Sequence, residues 1–346
     1  MALKPPVEVP QGAIRLNTDS QKLEFFAQDQ WWEMATDVPT LDGGARGVFG
    51  GGYGSSPYPN MNTIDYITIE TAGNAADFGD MSVGRSAKSG GNSRTRGIIQ
   101  GGRFSPSSDG YNTIDYITFS TTGNAIDFGD LTVRNPSMQG VSNQTRGVFA
   151  GGYNQDPSKT YVNTMNYITI ATTANALDFG DMLVDNRVYG YSGSSTTRGF
   201  WAGGRAAGSW FSEIYFKEIA SLGDSQEFGD LTLDKANGAG SMTSSTRAVF
   251  PGGTIGPTPG TTVMDYITMS TKGNAVKFGD QSFGNQAVCG VSSPVRGVLY
   301  TGSDDSANTN TLEYITIATQ GDSIDFGDLT ALHRHYGCGS NGHGGL

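Results

Sequence analysis

The chain has 346 residues, of which 51 are glycine, and a formal net charge of −11 at pH 7. Such an acidic chain repels phosphate backbones, which disfavours sequence-independent binding to nucleic acid. No apolar run approaches the roughly 18 residues of a membrane-spanning helix, and residues 1–10 lack the basic and apolar regions of a signal peptide. We therefore expect a protein made in a cytoplasm, with no nucleic-acid partner and no membrane insertion.

The first predicted elements are three short strands between residues 12 and 34. Residues 13–17 and 22–26 alternate apolar and polar side chains around a polar turn, which predicts a hairpin. Two adjacent tryptophans follow on opposite faces of a third strand, and so small a unit cannot bury both rings alone. We expect residues 1–36 to be a docking or oligomerisation segment, with packing against the chain's own next domain as the alternative. The docking side chains would be Ile14, Leu16, Phe25, Trp31 and Trp32.

Residues 37–45, which include Pro39 and two consecutive glycines, are predicted to be a connector. The remaining residues, 46–346, repeat with a period of about 50 residues. Each copy begins with an arginine that opens an apolar, glycine-rich stretch: Arg46, Arg96, Arg146, Arg198, Arg247 and Arg296. Each copy also carries a Phe-Gly-Asp triplet, whose aspartates are Asp80, Asp130, Asp181, Asp230, Asp280 and Asp328.

Each copy predicts four short strands, A to D. In the second copy we expect them near residues 90–93, 97–102, 113–120 and 125–131. A Gly-Gly doublet closing strand B and aromatic residues in strands C and D are typical of kelch-type propeller blades. The fourth copy departs most, because residues 212–219 replace the usual strand C.

The repeat resembles kelch repeats, and it is more similar still to repeats of tailed-phage virion proteins. Residues 145–152, Thr-Arg-Gly-Val-Phe-Ala-Gly-Gly, match the phage motif almost letter for letter. The resemblance covers residues 46–341 and implies an all-β fold: a six-bladed kelch-like β-propeller after a short N-terminal β-hairpin module. That module, with Gly-Ala-Ile-Arg-Leu-Asn-Thr at residues 12–18, is itself similar to short β modules of phage tail-fibre proteins.

The two ends of the repeat region predict how the propeller closes. Nothing before Arg46 resembles strand A, whereas residues 336–341 resemble residues 287–292, where strand A of the last copy is expected. We therefore expect the C-terminal segment to supply strand A of the first blade and to remove the exposed sheet edges. This arrangement places Cys289 and Cys338 on adjacent inner strands, too far apart to bridge, so we expect two thiols.

Motifs that would support catalysis or metal binding are weak. Six Phe-Gly-Asp triplets in register indicate a structural role, such as a tight turn ending strand D, with the aspartates and the repeated arginines as candidate ion pairs. A nucleophile elbow, a Walker loop and the H-E-x-x-H motif are absent from the sequence. The histidines, His333, His335 and His343, could hold a metal ion, but their glycine-rich setting favours solvated loop residues. We expect no cofactor, no metal and no enzyme activity.

The loops between strands B and C differ in every copy, whereas the A-to-B and C-to-D turns barely vary. In a propeller the B-to-C and D-to-A loops share one face, so the variation collects on one surface. Their aromatic and charged side chains suit sugar rings or protein epitopes, although drift of unconstrained loops is an alternative explanation. The candidate binding residues are Tyr58, Arg103, Phe104, Tyr153, Tyr161, Arg205, Trp210 and Phe211.

The resemblance to phage repeats implies a location and a function. We expect a non-enzymatic structural or appendage protein of a tailed-phage virion, such as a tail fibre. Its N-terminal segment would dock to other virion proteins, and a homotrimer is one arrangement of such modules. The propeller would be displayed for attachment to bacterial surface glycan or protein. The alternatives are passive decoration of the virion, an intracellular kelch scaffold, and a glycan-processing enzyme with paired carboxylates about 5 to 10 Å apart in the central depression.

Overall fold

The computed structural model describes residues 9–17, 22–33, 44–52, 60–103, 110–154, 160–184, 190–256, 260–303, 308–332 and 337–346. Every regular element in these ranges is a β-strand, and the sheets are antiparallel. Among the same residues there is accordingly no helix of the length and apolarity that crossing a membrane requires. The chain divides into two compact units, Met1–Gly43 and Gly44–Leu346.

The first unit holds one three-stranded sheet in the order β1, β2, β3. Its strands are β1 (Ile14–Asn17), β2 (Lys22–Ala27) and β3 (Gln30–Glu33). Ile14 lies opposite Phe25, and Phe25 lies opposite Trp32. The predicted hairpin and third strand are thus confirmed where alternation placed them.

The described part of the second unit contains six four-stranded sheets, numbered here in chain order. Sheet 1 begins with β4 (Arg46–Gly50), β5 (Thr63–Thr68) and β6 (Ala76–Asp80). Sheet 2 contains β7 (Ser86–Ser89), β8 (Arg96–Arg103), β9 (Thr113–Thr118) and β10 (Ile126–Asp130). Sheet 3 contains β11 (Gln139–Ser142), β12 (Arg146–Ala150), β15 (Thr164–Thr169) and β16 (Leu177–Asp181), with a short ladder of β13 (Tyr153–Asn154) and β14 (Thr160–Tyr161).

The remaining sheets repeat this plan. Sheet 4 contains β17 (Tyr191–Ser194), β18 (Arg198–Ala202), β21 (Glu213–Glu218) and β22 (Gln226–Asp230), with a ladder of β19 (Arg205–Ala206) and β20 (Ser209–Trp210). Sheet 5 contains β23 (Met242–Thr243), β24 (Arg247–Phe250), β25 (Thr261–Thr268) and β26 (Val276–Asn285). Sheet 6 contains β27 (Cys289–Ser292), β28 (Arg296–Tyr300), β29 (Thr311–Thr316) and β30 (Ile324–Asp328).

The last strand, β31 (Gly337–Ser340), completes sheet 1. It pairs antiparallel with β4, so that Gly337 lies opposite Gly50 and Ser340 lies opposite Gly47. The prediction that the C-terminal segment supplies the missing first strand is confirmed. Cys289 and Cys338 are buried thiols outside any disulfide, also as expected.

Two local predictions are wrong. The first strand of sheet 2 is β7, four residues before the predicted range, and its pairing with β8 shifts register between Ser86 and Lys88. The Phe-Gly-Asp triplet forms the last three residues of β6, as placed, but it stays in the strand with a bulge at Phe78 rather than making a turn. Gly79 has a φ of 144°, and a Cβ there would lie 2.5 Å from the carbonyl oxygen of Gly123 in the next sheet. Glycine is therefore required at this close approach.

The apolar core of the described second unit consists of six clusters, and each cluster lies between two neighbouring sheets. Side chains alternate along a strand, so consecutive residues of β4 belong to different clusters. Val48 packs between sheets 1 and 2, and Phe49 packs between sheets 6 and 1. Each sheet thus buries both of its faces.

The repeated arginines stack on strand C and reach the next sheet. Each guanidinium lies over an aromatic ring of strand C, the third strand of its own sheet. Arg96, for example, lies 4.7 Å from the ring centroid of Tyr116. Each also donates to main-chain carbonyl oxygens of the following sheet, as Arg96 does to Ile170 at 3.0 Å. Arg296 of sheet 6 donates in the same way to Ile69 of sheet 1.

The triplet aspartates contact the next sheet through their main chain. The N–H of Asp80 donates to Asn124 Oδ1 at 3.0 Å, and the same bond recurs in each sheet, ending with Asp328 and Asn74 at 3.1 Å. Among the described residues, no salt bridge joins a repeated arginine to Asp80, Asp130, Asp230, Asp280 or Asp328, so the predicted pairing is wrong for these copies. The repeated arginines and the triplet aspartates both bond to the C-to-D turn of the next sheet or to the end of its third strand. The arginines do so through their guanidinium groups and the aspartates through their main-chain N–H groups.

Candidate functional site

The B-to-C and D-to-A segments lie at the same end of the sheets. The N–H of Gly52 donates to the Arg85 carbonyl at 3.0 Å, and the N–H of Arg85 donates to the Met61 carbonyl at 3.1 Å. Equivalent bonds join Gly204, Phe211 and Lys235 in sheet 4. The variable loops therefore extend from one end of the sheets, which is called the variable face below.

Aromatic side chains of sheet 3 meet on this face. Tyr153 lies directly opposite Tyr161 in the β13–β14 ladder, and their rings pack edge to face with centroids 5.0 Å apart. Both side chains are half-buried. An edge-to-face pair of this kind fixes the orientation of both rings and leaves part of their surface open to a partner.

The neighbouring loop of sheet 4 contacts this pair. The main-chain N–H of Ala207, in the β19–β20 turn, donates to the Tyr161 hydroxyl at 3.2 Å. In the same ladder the indole N–H of Trp210 donates to Thr254 Oγ1 at 3.3 Å, which reaches sheet 5. Tyr153, Tyr161 and Trp210 are called the aromatic ridge below. The Ala207–Tyr161 bond joins the loops of sheets 3 and 4 that carry them, and Trp210 bonds to the loop of sheet 5.

The other predicted binding residues have different surroundings. Arg205 is exposed and lies opposite Trp210 in the ladder. Phe211 is half-buried, and its main chain bonds to Gly204 and Lys235. Arg103 ends β8 in sheet 2 and bridges to Gly110. Tyr58 and Phe104 lie outside the described residues.

Two fully buried ion pairs lie beneath the variable face. Arg85 Nη2 is 2.9 Å from Asp115 Oδ2, and Lys235 Nζ is 3.0 Å from Asp265 Oδ2. Burial lowers the pKa of Lys235, and the carboxylate of Asp265 opposes that shift. Lys235 also donates to the carbonyls of Phe250 and Val263, so its charge is well compensated. These groups hold the loop bases in place and are closed to solvent.

The sequence contained a signal for these pairs that we missed. Arg85 and Lys235 each follow a triplet aspartate at the same offset, and each precedes a copy whose strand C carries a buried aspartate. A cation five residues after a triplet aspartate, followed by an aspartate in strand C of the next copy, therefore predicts an ion pair inside one sheet. The neutral Asn135 stands at the equivalent position before the third copy.

A small polar cavity lies among the first strands of sheets 2 to 6 or the residues next to them, β31 and His343. Burial lowers the pKa of His343, which lines this cavity, to about 4. His343 is half-buried and hydrogen-bonded to the main chain of sheet 2, which corrects the expectation of a solvated loop histidine; His333 and His335 lie outside the described residues. The described lining contains no carboxylate, so the paired acids of a glycoside hydrolase are not found there.

The described residues contain no group of three or more histidine, cysteine, aspartate or glutamate side chains that could hold a metal ion. His333 and His335 are not among these residues.

The predicted docking residues of the first unit divide between the two faces of its sheet. Ile14, Leu16, Phe25 and Trp32 lie on one face and are exposed, with 63% and 61% of the surfaces of Ile14 and Leu16 accessible. On the other face Trp31 packs against Phe26 and lies 4.1 Å below the guanidinium of Arg15. Trp31 is therefore held inside the unit, whereas the first face is open in the described unit.

No protein-family model and no curated protein matches the chain.

Proposed function

We propose that the six sheets are the blades of a closed, six-bladed kelch-like β-propeller. The first strands contact one another in the series β7, β11, β17, β23, β27, β31, and β31 contacts β7 again. The bonds between sheets follow the same order, and Thr330 Oγ1 of sheet 6 donates to Asp65 Oδ1 of sheet 1 at 2.7 Å. These contacts favour a ring, because an open array of repeats ends in two sheets that each lack a neighbour.

We further propose that the protein is a non-enzymatic appendage of a tailed-phage virion, and that its variable face binds bacterial surface glycan. The observation that carries this proposal is the aromatic ridge. Half-buried rings offer apolar faces that pack against sugar rings, while Arg205 and the tyrosine hydroxyls offer hydrogen bonds at the rim. The bonds that join neighbouring loops hold the rings in place before a ligand arrives, which lowers the entropic cost of binding.

The phage setting is supported by two independent features. The repeat motif at residues 145–152 resembles that of phage virion proteins, and the first unit exposes an apolar face. Exposed apolar surface that is concentrated on one side of a small sheet is typical of a contact with another protein. A role as a virion component that docks through residues 1–36 accounts for both features.

The test is binding of the purified full-length protein to bacterial cells and to their extracted surface polysaccharides. We expect saturable binding, and at least a tenfold loss of affinity in Tyr161→Ala and Trp210→Ala, because each removes a ring of the ridge. Leu177→Ala is the matched control, since Leu177 is exposed on the last strand of the same sheet as Tyr161 and should bind normally.

Saturable binding that survives both ridge substitutions would contradict the proposed site. Absence of binding across a broad panel of hosts would favour a passive virion component. Hydrolysis of the polysaccharide by the protein would favour an enzyme instead.

A further inference from the structure

The last six residues of the chain contact every sheet of the second unit. Asn341 exchanges main-chain and side-chain bonds with Arg46 of sheet 1. His343 Nε2 lies 3.2 Å from the Asn92 carbonyl of the sheet 2 segment and 3.3 Å from Ser142 Oγ of sheet 3. The N–H of Gly344 donates to Thr243 Oγ1 of sheet 5 at 2.9 Å.

The glycines of this segment fit between the sheets with no room for a side chain. A methyl group on Gly344 would overlap the carbonyl oxygen of Ser244 in sheet 5 and would also contact Ser194 in sheet 4. A methyl group on Gly345 would overlap the Ser142 carbonyl, and one on Gly342 would meet Ser293, which lies between the first two strands of sheet 6. A segment that touches six sheets within six residues must lie where their first strands converge.

Polar groups around the segment form hydrogen bonds with it. The cavity beside His343 is lined mainly by serine, threonine, asparagine and glycine, together with Val141 and Cys338, and its described lining contains no Lys, Arg, Asp or Glu side chain. The N–H of Gly345 donates to His343 Nδ1 at 3.1 Å, which shapes the end of the chain into a compact turn. The segment is therefore bound by specific hydrogen bonds.

We propose that residues 341–346 are a built-in plug, bound in an intramolecular site formed by the first strands of all six sheets. Strand β31 completes sheet 1, and the plug then ties that sheet to the other five. The plug keeps solvent out of the point where the first strands converge, and its contacts hold β31 in sheet 1. This proposal is independent of what the variable face binds.

The two cysteines provide the test. Cys338 lines the cavity next to the plug, whereas Cys289, equally buried, is not among the residues that line it. The rate at which a thiol reagent modifies Cys338 would be measured in a Cys289→Ser background, with and without residues 342–346. The same measurement on Cys289 in a Cys338→Ser background is the internal control.

We expect removal of the plug to raise the modification rate of Cys338 at least tenfold and to leave the rate of Cys289 unchanged. Gly344→Ala and Gly345→Ala in the full chain should also raise the Cys338 rate, because the added methyl groups expel the plug. Gly321→Ala should not, since nothing lies within 4 Å of a Cβ at that position. These substitutions keep the test valid if the shortened chain fails to fold.

An unchanged Cys338 rate in both glycine variants would overturn the proposal. An equal rise at Cys289 would overturn it as well, because that result would indicate general loosening of the fold.

Discussion

His343 is a neutral side chain in a polar cavity. Its ring nitrogens meet the Ser142 hydroxyl, the Asn92 carbonyl and the Gly345 N–H, and the other titratable group in the described lining is the thiol of Cys338. Burial without a facing carboxylate disfavours the imidazolium form, which is why the pKa falls to about 4 from its ordinary 6.5. The folded state therefore resists protonation of this residue.

This environment predicts that stability falls as the pH decreases from 6.5 to 4. In that window the unfolded chain takes up a proton at residue 343 and the folded chain does not, so the free energy of unfolding decreases, by up to about 3 kcal/mol in total. The measurement is urea unfolding at several pH values for the natural chain and for His343→Asn. The variant should lack this part of the pH dependence, and parallel curves for the two proteins would contradict the prediction.

In the sheet of the first unit, the alternating direction of the side chains determines which face is apolar and exposed. Alternation along β1 and β2 places Ile14, Leu16 and Phe25 on one face. Arg15 points to the other face, where it stacks on Trp31 and forms an ion pair with Glu24. The result is one internally packed face and one exposed apolar face, and the proposed docking role therefore rests on the second.

We predict that a chain lacking residues 1–43 stays folded but no longer co-purifies with its virion. The same loss is expected for Ile14→Ser combined with Leu16→Ser, because both changes make the exposed apolar face polar. The control is Leu177→Ser combined with Ile324→Ser, which alters two residues of similar exposure on the last strands of sheets 3 and 6. Normal incorporation of the truncated chain would contradict the docking role.

The elements that could be predicted from the sequence are those whose signal is local or repeated. Alternation predicted the strands of the first unit, and the likeness of residues 336–341 to residues 287–292 predicted the strand that completes sheet 1. The need for glycine at position 79 could not be predicted, because it comes from the close approach of the Gly123 carbonyl of another sheet.

The candidate site was predictable only in outline. Variation among the copies marked the B-to-C loops, and the repeat located Tyr161 and Trp210 within them. The bond between the Ala207 N–H and the Tyr161 hydroxyl joins two loops that are far apart in the sequence, and no local pattern indicates it. The burial of His343 likewise depends on contacts with residues some 200 positions earlier or more, which a glycine-rich tail does not reveal.

At the scale of the whole molecule, the proposed ring depends on contacts between neighbouring sheets. The cluster that contains Phe49, Val291 and Phe326 joins sheet 6 to sheet 1 and resembles the five other clusters in its apolar character. If the ring were open, two sheets would each expose an apolar face, and an exposed face of this kind favours aggregation. In the proposed ring, the pairing of β31 with β4 is the closing step.

The most direct measurement of this closure is disulfide trapping between β31 and β4. Phe49 lies opposite Cys338 in the register, and both belong to the same cluster. Opposite residues of an antiparallel pair have Cα atoms about 4.5 to 5.5 Å apart, a separation that a disulfide spans. The test variant is Phe49→Cys in a Cys289→Ser background, and the control is Val48→Cys, whose side chain points toward sheet 2.

After mild oxidation, peptide mapping by mass spectrometry would detect a cross-link between positions 49 and 338. A ring closed by the C-terminal strand predicts the cross-link in the Phe49→Cys variant and none in the Val48→Cys variant. Absence of the cross-link in a folded Phe49→Cys protein would contradict the closed ring.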